Sequence, residues 1–129
     1  MRFLVDTCVA IWYFEGSDKI GVNMQDLLSD PKNEVYMSDV SVLEIVIKYT
    51  LGKLPLPSAP SELLPTLAEK HAFATLPLFQ EAIFQLESLP PLHRDPFDRL
   101  LLAQSMEHGL TLVTPDPKIR QYSVPTMWA

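Results

Sequence analysis

Four acidic residues of this chain stand where a fold of alternating strands and helices would bring them together. Asp6 directly follows the apolar run Phe3-Leu4-Val5, and Asp116 follows Leu112-Val113 across Thr114-Pro115. The loops at the carboxyl ends of parallel strands form the ligand crevice of such a sheet. Helices that return antiparallel to the strands begin at the same edge. We therefore expect Glu44, within an apolar helix, and Asp98, in the first turn of another, to face that crevice.

Carboxylates that converge on one place repel each other unless a positive charge neutralises them. A hard divalent cation does this, and oxygen ligands suit Mg²⁺ or Mn²⁺. The sequence thus predicts a metal site formed by four acids: Asp6, Glu44, Asp98 and Asp116. Cys8 and the three histidines show no zinc-type spacing. We expect Cys8 to be a small buried apolar residue, and the histidines to be surface or loop residues: His71, His93 and His108.

Each acid also has a purely structural explanation, which the sequence leaves open. Glu44 could form an i,i+4 ion pair with Lys48, and a first-turn acid such as Asp98 interacts favourably with the helix dipole. Asp6 and Asp116 follow strands, where an acid commonly caps the next helix. Asp95 precedes Pro96 and is expected to be a helix N-cap, which leaves it outside the direct ligand set.

Several neighbouring polar residues could support the acids or contact a phosphate. The threonine hydroxyls could cap the backbone or hold a metal-bound water, and the serines share the polar stripe of the Glu44 helix. The arginines that flank Asp98 could pair with the acids or hold a phosphate at the rim of the site. These candidates are Thr7, Ser38, Ser41, Arg94, Asp95, Arg99 and Thr114.

Strand and helix patterns alternate along the whole chain and predict an α/β fold with a mostly parallel sheet between helical layers. We predict strands near 2–6, 34–37, 73–76, 111–114 and 124–126, and helices near 8–14, 21–30, 39–51, 61–71, 79–88 and 97–108. The 129 residues suit a single domain. The apolar helix that carries Glu44 is expected to be buried on most sides, and Trp12-Tyr13-Phe14 to provide core or interface packing.

Composition narrows the class of protein. The formal net charge of −6 argues against a general nucleic-acid coat protein. It still allows an enzyme that meets nucleic acid through a local basic rim. A single cysteine fits a reducing cytoplasm, and no apolar stretch approaches the roughly 20 residues of a membrane span.

These motifs, in this order, resemble the PIN-domain nucleases, and among them the small toxins of VapBC-type toxin–antitoxin pairs. The matching stretches are Leu4–Thr7, Ser38–Ile45, His93–Leu100 and Thr114–Asp116, with the lead-out Ile45–Leu54. The resemblance implies a PIN-like three-layer α/β/α domain with a five-stranded sheet and Mg²⁺- or Mn²⁺-dependent endoribonuclease activity. It also implies frequent dimerisation and inhibition by a cognate antitoxin. The acids carried over are Asp6, Glu44, Asp98 and Asp116, whereas Asp39 and Asp95 add negative charge nearby.

Other classes of protein fit the residues less well. A phosphohydrolase with an aspartyl nucleophile requires a second carboxylate two residues after the first, where this chain has Cys8. A response-regulator receiver normally has adjacent acids at the end of its first strand, whereas Val5 and Thr7 flank Asp6. A non-catalytic interaction module would use the acids only as caps, and a metal ion would then not raise its melting temperature.

Overall fold

The computed structural model describes residues 1–128, which form five strands and six α-helices in alternation. The strands are β1 (Arg2–Val5), β2 (Glu34–Ser38), β3 (Phe73–Leu76), β4 (Thr111–Val113) and β5 (Thr126–Met127). The helices are α1 (Thr7–Glu15), α2 (Val22–Ser29), α3 (Asp39–Thr50), α4 (Pro60–Lys70), α5 (Gln80–Phe84) and α6 (Pro96–His108). Two short 3-10 helices, Gln85–Ser88 and Ile119–Gln121, complete the described secondary structure.

All strand pairings in the sheet are parallel, and the strand order is β3-β2-β1-β4-β5. The chain moves outward from β1 to β3 and then returns to place β4 on the other side of β1. The neighbours β1 and β4 therefore flank the topological switch point, where ligands of open α/β sheets commonly bind. Their pairing of Val5 with Val113 places Asp6 and the β4–β5 loop at the same edge.

Two apolar layers cover the sheet because adjacent strand residues point to opposite faces. Phe3 and Val5 pack with residues of α1, α2 and α4, whereas Leu4 packs with Leu101 and Leu102 of α6. The three-layer α/β/α prediction is confirmed. The Trp12-Tyr13-Phe14 segment also packs as predicted, since these aromatic side chains lie partly buried against the first of these layers.

The predicted elements agree with the observed ones except in three places. The predicted helix 79–88 is divided into α5 and the following 3-10 helix, and the predicted strand 124–126 is shifted to Thr126–Met127. The prediction that the Glu44 helix is buried on most sides is wrong. Leu43, Val46 and Ile47 of α3 are exposed, because α3 packs on the domain only through the side that carries Val40, Ser41, Glu44 and Ile45.

Helix ends follow the local sequence rules. Asp95 caps α6, with Pro96 at the first helical position, and Gly109 ends the helix in the left-handed conformation at φ 64°. Within residues 1–128, no helix has the length and apolar character required to span a membrane.

Candidate active site

All four predicted acids line one open cavity of about 380 Å³ at the carboxyl edge of β1 and β4. Asp95 lines the same cavity, so five carboxylates face it. Two lysines supply positive charge, and Ile11, Ile45 and Leu54 form its apolar wall. The lining residues are Asp6, Thr7, Cys8, Ile11, Glu44, Ile45, Lys48, Lys53, Leu54, Asp95, Asp98 and Asp116.

Asp6 is held by Thr114 and does not cap α1. The Thr114 hydroxyl donates a 2.7 Å hydrogen bond to Asp6 Oδ2, and the carboxylate makes no capping hydrogen bond to α1. Burial raises the pKa of Asp6 because the charged form is desolvated, while the hydroxyl of Thr114 lowers the pKa. The nearby charges of Glu44 and Asp116 raise it further. The capping explanation for Asp6 is therefore wrong, and its charge is left directed at the cavity.

Glu44 takes part in the ion pair foreseen from its spacing and lines the cavity as well. Lys48 Nζ lies 2.6 Å from Glu44 Oε2, and this hydrogen bond is the main reason that the pKa of Lys48 is raised. The other oxygen, Glu44 Oε1, is buried and has no hydrogen-bond partner among the described residues. An unsatisfied buried carboxylate oxygen is costly. The ion pair with Lys48 therefore satisfies only half of this carboxylate.

Asp95 and Asp98 lie in different environments at the start of α6. Asp95 Oδ1 accepts hydrogen bonds from the backbone N–H groups of Phe97 and Asp98 at 2.8 and 3.3 Å, which confirms the N-cap. Burial, followed by the charges of Asp6 and Asp95, raises the pKa of Asp98 from 3.8 to about 7. His93 opposes part of this rise. Burial is thus the main reason that Asp98 resists ionisation, and the neighbouring carboxylates add to this resistance.

Asp116 lies in the loop after β4 and is the best stabilised of the group. Its backbone N–H donates to Thr114 Oγ1, and its Oδ1 accepts from the backbone N–H of Lys118. Burial acts to raise the pKa of Asp116, but the hydrogen bonds from Lys118 and His93 outweigh it and lower the pKa. Thr114 therefore orients two acids, with its hydroxyl between Asp6 and the backbone of Asp116.

His93 is the residue that the sequence did not assign to the site. It lies in a loop, as predicted, but its side chain is only 11% exposed and reaches two of the acids. His93 Nε2 lies 2.9 Å from Asp98 Oδ2 and 3.1 Å from Asp116 Oδ2. The three side chains offer ligand atoms within 4.8 Å of one another. Only its place in the His93–Leu100 motif, next to the acids, could have singled it out.

The remaining polar candidates separate into supporting and unrelated residues. Thr7 Oγ1 donates to Ser41 Oγ at 2.8 Å, which ties α1 to α3 beside the acids. The expectation for Ser38 is wrong, because its side chain caps α3 and contacts Gln104 of α6, and it does not line the cavity. Cys8 is partly buried, and burial followed by the charges of Asp6 and Asp98 raises its pKa to about 12, which leaves the thiol un-ionised.

The two arginines do not pair with the acids in the described structure. The guanidinium of Arg99 donates to backbone carbonyls, among them that of Pro90 at 3.1 Å, and to the Tyr122 hydroxyl. It therefore holds the loop before α6, and a phosphate contact by Arg99 stays a prediction. Arg94 is exposed at the rim of this loop.

The donor set fits a hard divalent cation. Carboxylate oxygens dominate the cavity, one of them is buried without a partner, and the acids mutually oppose ionisation. A cation with oxygen ligands would provide a partner for the buried oxygen and would neutralise the charges that oppose ionisation. The alternative in which the acids serve only as caps accounts for Asp95 and for one oxygen of Asp116, which accepts from the backbone N–H of Lys118, but it does not account for Glu44 or Asp98.

Comparisons with known proteins agree with this geometry. Residues 3–125 match the model of the PIN domain family. Among solved structures, the chain is similar to a chain of VapBC2 from Rickettsia felis bound to a promoter DNA fragment, with 16% identity, 98% of each chain covered and a TM-score of 0.75. It is also similar to a chain of DNA-bound VapBC from Salmonella typhimurium, with 15% identity, coverage of 98% of this chain and 97% of that one, and a TM-score of 0.67.

A third similar structure is FitAcB from Neisseria gonorrhoeae, with 21% identity, coverage of 97% of this chain and 96% of the other, and a TM-score of 0.65. At these identities the structural matches establish the fold. A search of curated protein sequences found no significant match.

The pKa of Asp98 predicts how the stability of the metal-free protein depends on pH. Between 3.8 and about 7 the folded chain retains a proton at Asp98 that the unfolded chain has lost. The native state then binds more protons, so the free energy of unfolding should fall as the pH rises through this window. Asp98→Asn should flatten the decrease and raise the melting temperature at neutral pH.

Thermal melts of wild type and Asp98→Asn in chelator, over a series of pH values, test this. Asp39→Asn is the matched control, because Asp39 is an exposed acid in the first turn of α3. Parallel wild-type and Asp98→Asn curves across the window would contradict the assignment.

Proposed function

The chain belongs to the PIN-domain family, and on this premise we propose that it is a Mg²⁺- or Mn²⁺-dependent endoribonuclease that acts as the toxin of a toxin–antitoxin pair. The observation that supports it most is the cavity where Asp6, Glu44, Asp98 and Asp116 meet with a buried, unpartnered carboxylate oxygen. The cytoplasm, where RNA is exposed to such an enzyme, is the proposed place of action.

In this proposal Asp6, Asp98 and Asp116 hold the metal, and Glu44 serves as a further ligand or as the base. A bound divalent cation would supply charge neutralisation at phosphorus and a lowered pKa for the attacking water. Thr114 orients Asp6 and the backbone of Asp116. Glu44 presents its unpartnered Oε1, which can accept a hydrogen bond or a proton at that atom. Mg²⁺ commonly uses few carboxylates directly, so some of these acids act through water.

The substrate phosphates would meet the basic side chains around the cavity. Lys48 and Lys53 line it directly, and Arg94, Lys118 and Arg120 are exposed. The hydrogen bond from Lys48 to Glu44 raises the pKa of Lys48 and keeps it charged. A few cations at the rim of a chain of net charge −6 favour a local contact with the scissile phosphate over a long binding surface. RNA as the substrate rests on the family resemblance.

Replacement of single acids tests the reaction. Changes beside a metal site already cost about 10- to 100-fold. Asp6→Asn or Asp98→Asn should therefore lower the cleavage rate at least about 100-fold, with the fold retained. The measurement is cleavage of a mixed pool of fluorescent oligoribonucleotides with Mg²⁺, with Mn²⁺ and with chelator. The activity of the wild type should disappear in chelator.

Two acids provide matched controls. Asp95→Asn should be mild in rate and stability because asparagine caps a helix about as well as aspartate. Asp39→Asn should leave cleavage unchanged, since Asp39 does not line the cavity. Wild-type cleavage by Asp6→Asn, or greater damage at Asp95 than at Asp98, would refute these roles.

We further propose a cognate antitoxin that occupies an apolar groove next to the acids. The similar structures are described as VapBC and toxin–antitoxin complexes. In this chain a groove of about 200 Å³ lies between α1, α3 and α4, and it shares Ile11 and Ile45 with the acidic cavity. Its lining is mainly apolar: Ile11, Phe14, Glu15, Ile45, Leu56, Pro57, Leu63, Leu64 and Leu67.

A partner segment with apolar side chains could lie in this groove and place an arginine or lysine among the carboxylates. Such a residue would form charge-assisted hydrogen bonds and compete with the metal. The groove adjoins Phe14 and not Trp12 or Tyr13, which face a separate cavity. The proposed contact therefore lies along one side of the Trp12-Tyr13-Phe14 helix.

Growth measurements test the toxin and its groove. Wild-type expression should slow growth, Asp6→Asn should be tolerated, and co-expression of the small adjacent reading frame should restore growth. Leu67→Asp should remain toxic but resist this rescue, because a charge in the groove disfavours apolar docking. Val22→Asp, at an exposed apolar residue of α2, is the control and should be rescued like wild type. Equal growth with wild type and Asp6→Asn at matched protein levels would count against a toxin.

We also propose a homodimer through the outer face of α3. Leu43, Val46 and Ile47 are 51%, 37% and 39% exposed and lie on one face at spacings of three and four. An exposed apolar row commonly marks a protein interface. Light scattering should give twice the 14.6 kDa chain mass for wild type. Ile47→Glu should give the monomer mass, whereas Val22→Glu should remain dimeric; a monomeric wild type would exclude this interface.

A further inference from the structure

The loop that carries His93 precedes α6 and is held in place by hydrogen bonds. The backbone N–H of His93 donates a 2.9 Å hydrogen bond to the Tyr122 hydroxyl, which itself donates to the carbonyl oxygen of Pro90 at 2.7 Å. The Arg99 guanidinium donates to the same carbonyl at 3.1 Å. The side chains of Tyr122 and Arg99 thus hold the backbone around His93, and the largely buried imidazole lies beside the acids.

Both nitrogens of the imidazole have defined partners. Nε2 lies 2.9 Å from Asp98 Oδ2 and 3.1 Å from Asp116 Oδ2, so it bridges acids from α6 and from the β4–β5 loop. On the other side of the ring, the backbone N–H of Asp95 donates a 3.1 Å hydrogen bond to Nδ1. A backbone N–H can only donate, so Nδ1 must present its lone pair.

This contact decides which nitrogen carries the proton. In a neutral imidazole one nitrogen carries the proton and the other accepts, and the hydrogen bond of one nitrogen sets the state of the other. With Nδ1 as acceptor, Nε2 is an N–H donor directed at two carboxylate oxygens. A metal bond at Nε2 would require its lone pair and move the proton to Nδ1. The hydrogen on Nδ1 would then face the backbone N–H of Asp95, and the hydrogen bond between them would be lost.

We propose that His93 is a positioning residue and not a metal ligand. Its Nε2–H group holds the carboxylates of Asp98 and Asp116 in fixed positions relative to each other. The assignment rests on the proposed metal-dependent function. The ring places a donor between two acids that otherwise repel each other. It leaves Asp98 Oδ1 available to a cation, whereas Asp116 Oδ1 already accepts from the backbone N–H of Lys118. Asp95 contributes twice: its carboxylate caps α6, and its backbone N–H sets the tautomer of His93.

The tautomer of the wild-type protein is the direct test. Long-range ¹H–¹⁵N correlation spectra of the imidazole, recorded above its titration range, should show the proton on Nε2 in the metal-free protein. The proton should remain there after Mg²⁺ is added. A change to an unprotonated Nε2 and a protonated Nδ1 on addition of Mg²⁺ would overturn the proposal and make His93 a ligand.

Two substitutions test the consequence through metal affinity. His93→Gln keeps an N–H donor near the position of Nε2, whereas His93→Ala removes it. Calorimetric titration with Mn²⁺ should show a loss of about 10- to 100-fold for His93→Ala, as expected when a partner of the ligands is removed. His93→Gln should recover most of this loss. Equal losses in the two variants, with melting temperatures near that of wild type, would contradict a donor role.

Failure of the proposed function and failure of the His93 assignment give different results. Wild-type cleavage by Asp6→Asn, or no Mn²⁺ binding by the wild type, would refute the proposed function. An Mg²⁺-induced tautomer change in a protein that binds Mn²⁺ and needs Asp6 would refute only the role of His93. Because the spectra use the wild-type chain, the test remains decisive even where His93→Ala does not fold.

Discussion

The repulsion among carboxylates at one edge of the sheet is the constraint to which the rest of the site responds. Five acids line a single cavity, and burial makes each negative charge more expensive than it would be in water. The fold provides at least one hydrogen-bond donor for each acid. These donors are the Thr114 hydroxyl for Asp6, Lys48 for Glu44, backbone N–H groups for Asp95 and Asp116, and the His93 imidazole for Asp98 and Asp116.

The response is incomplete, because two of the acids remain in unfavourable environments. Glu44 Oε1 has no partner in the described chain, and the pKa of Asp98 is raised to about 7. Replacement of Glu44 would remove the unpartnered oxygen and replacement of Asp98 the raised pKa, so a protein without a use for this site has no need to keep both acids. Stability is commonly lower where a site is preorganised for a ligand. The same excess of negative charge would bind a divalent cation or the basic side chain of a partner. In the proposed function, activity and inhibition would therefore depend on one electrostatic feature.

Hydrogen bonds between neighbouring elements hold the surroundings of the site together. Thr7 and Ser41 join α1 to α3 by a hydrogen bond, and Arg99 joins the loop before α6 to Tyr122. Arginine is well suited to this second task because its several N–H donors can hold a set of backbone carbonyls. The mainly apolar groove beside Ile11 and Ile45, with Glu15 in its lining, adjoins the cavity. A charged and a mainly apolar surface therefore lie side by side.

The sequence by itself determined the order of strands and helices, the caps at Asp95 and Gly109, and the four acids that meet. These features depend on local periodicity and on the rule that parallel strands end at one edge. The tertiary structure alone decided which hydroxyl, lysine or imidazole each acid contacts. Such contacts join residues distant in the chain, as Thr114 and Asp6 do.

His93, Ser38 and Arg99 show why sequence reasoning failed at these positions. A histidine in a loop and an arginine beside two acids have several equivalent partners when only spacing is known. The apolar residues of α3 had the same ambiguity, because a helix that is apolar on most sides is either buried or covered by a partner. Packing decides between these outcomes, because the direction of each side chain depends on how the helices cross the sheet. No single segment of the sequence encodes that crossing.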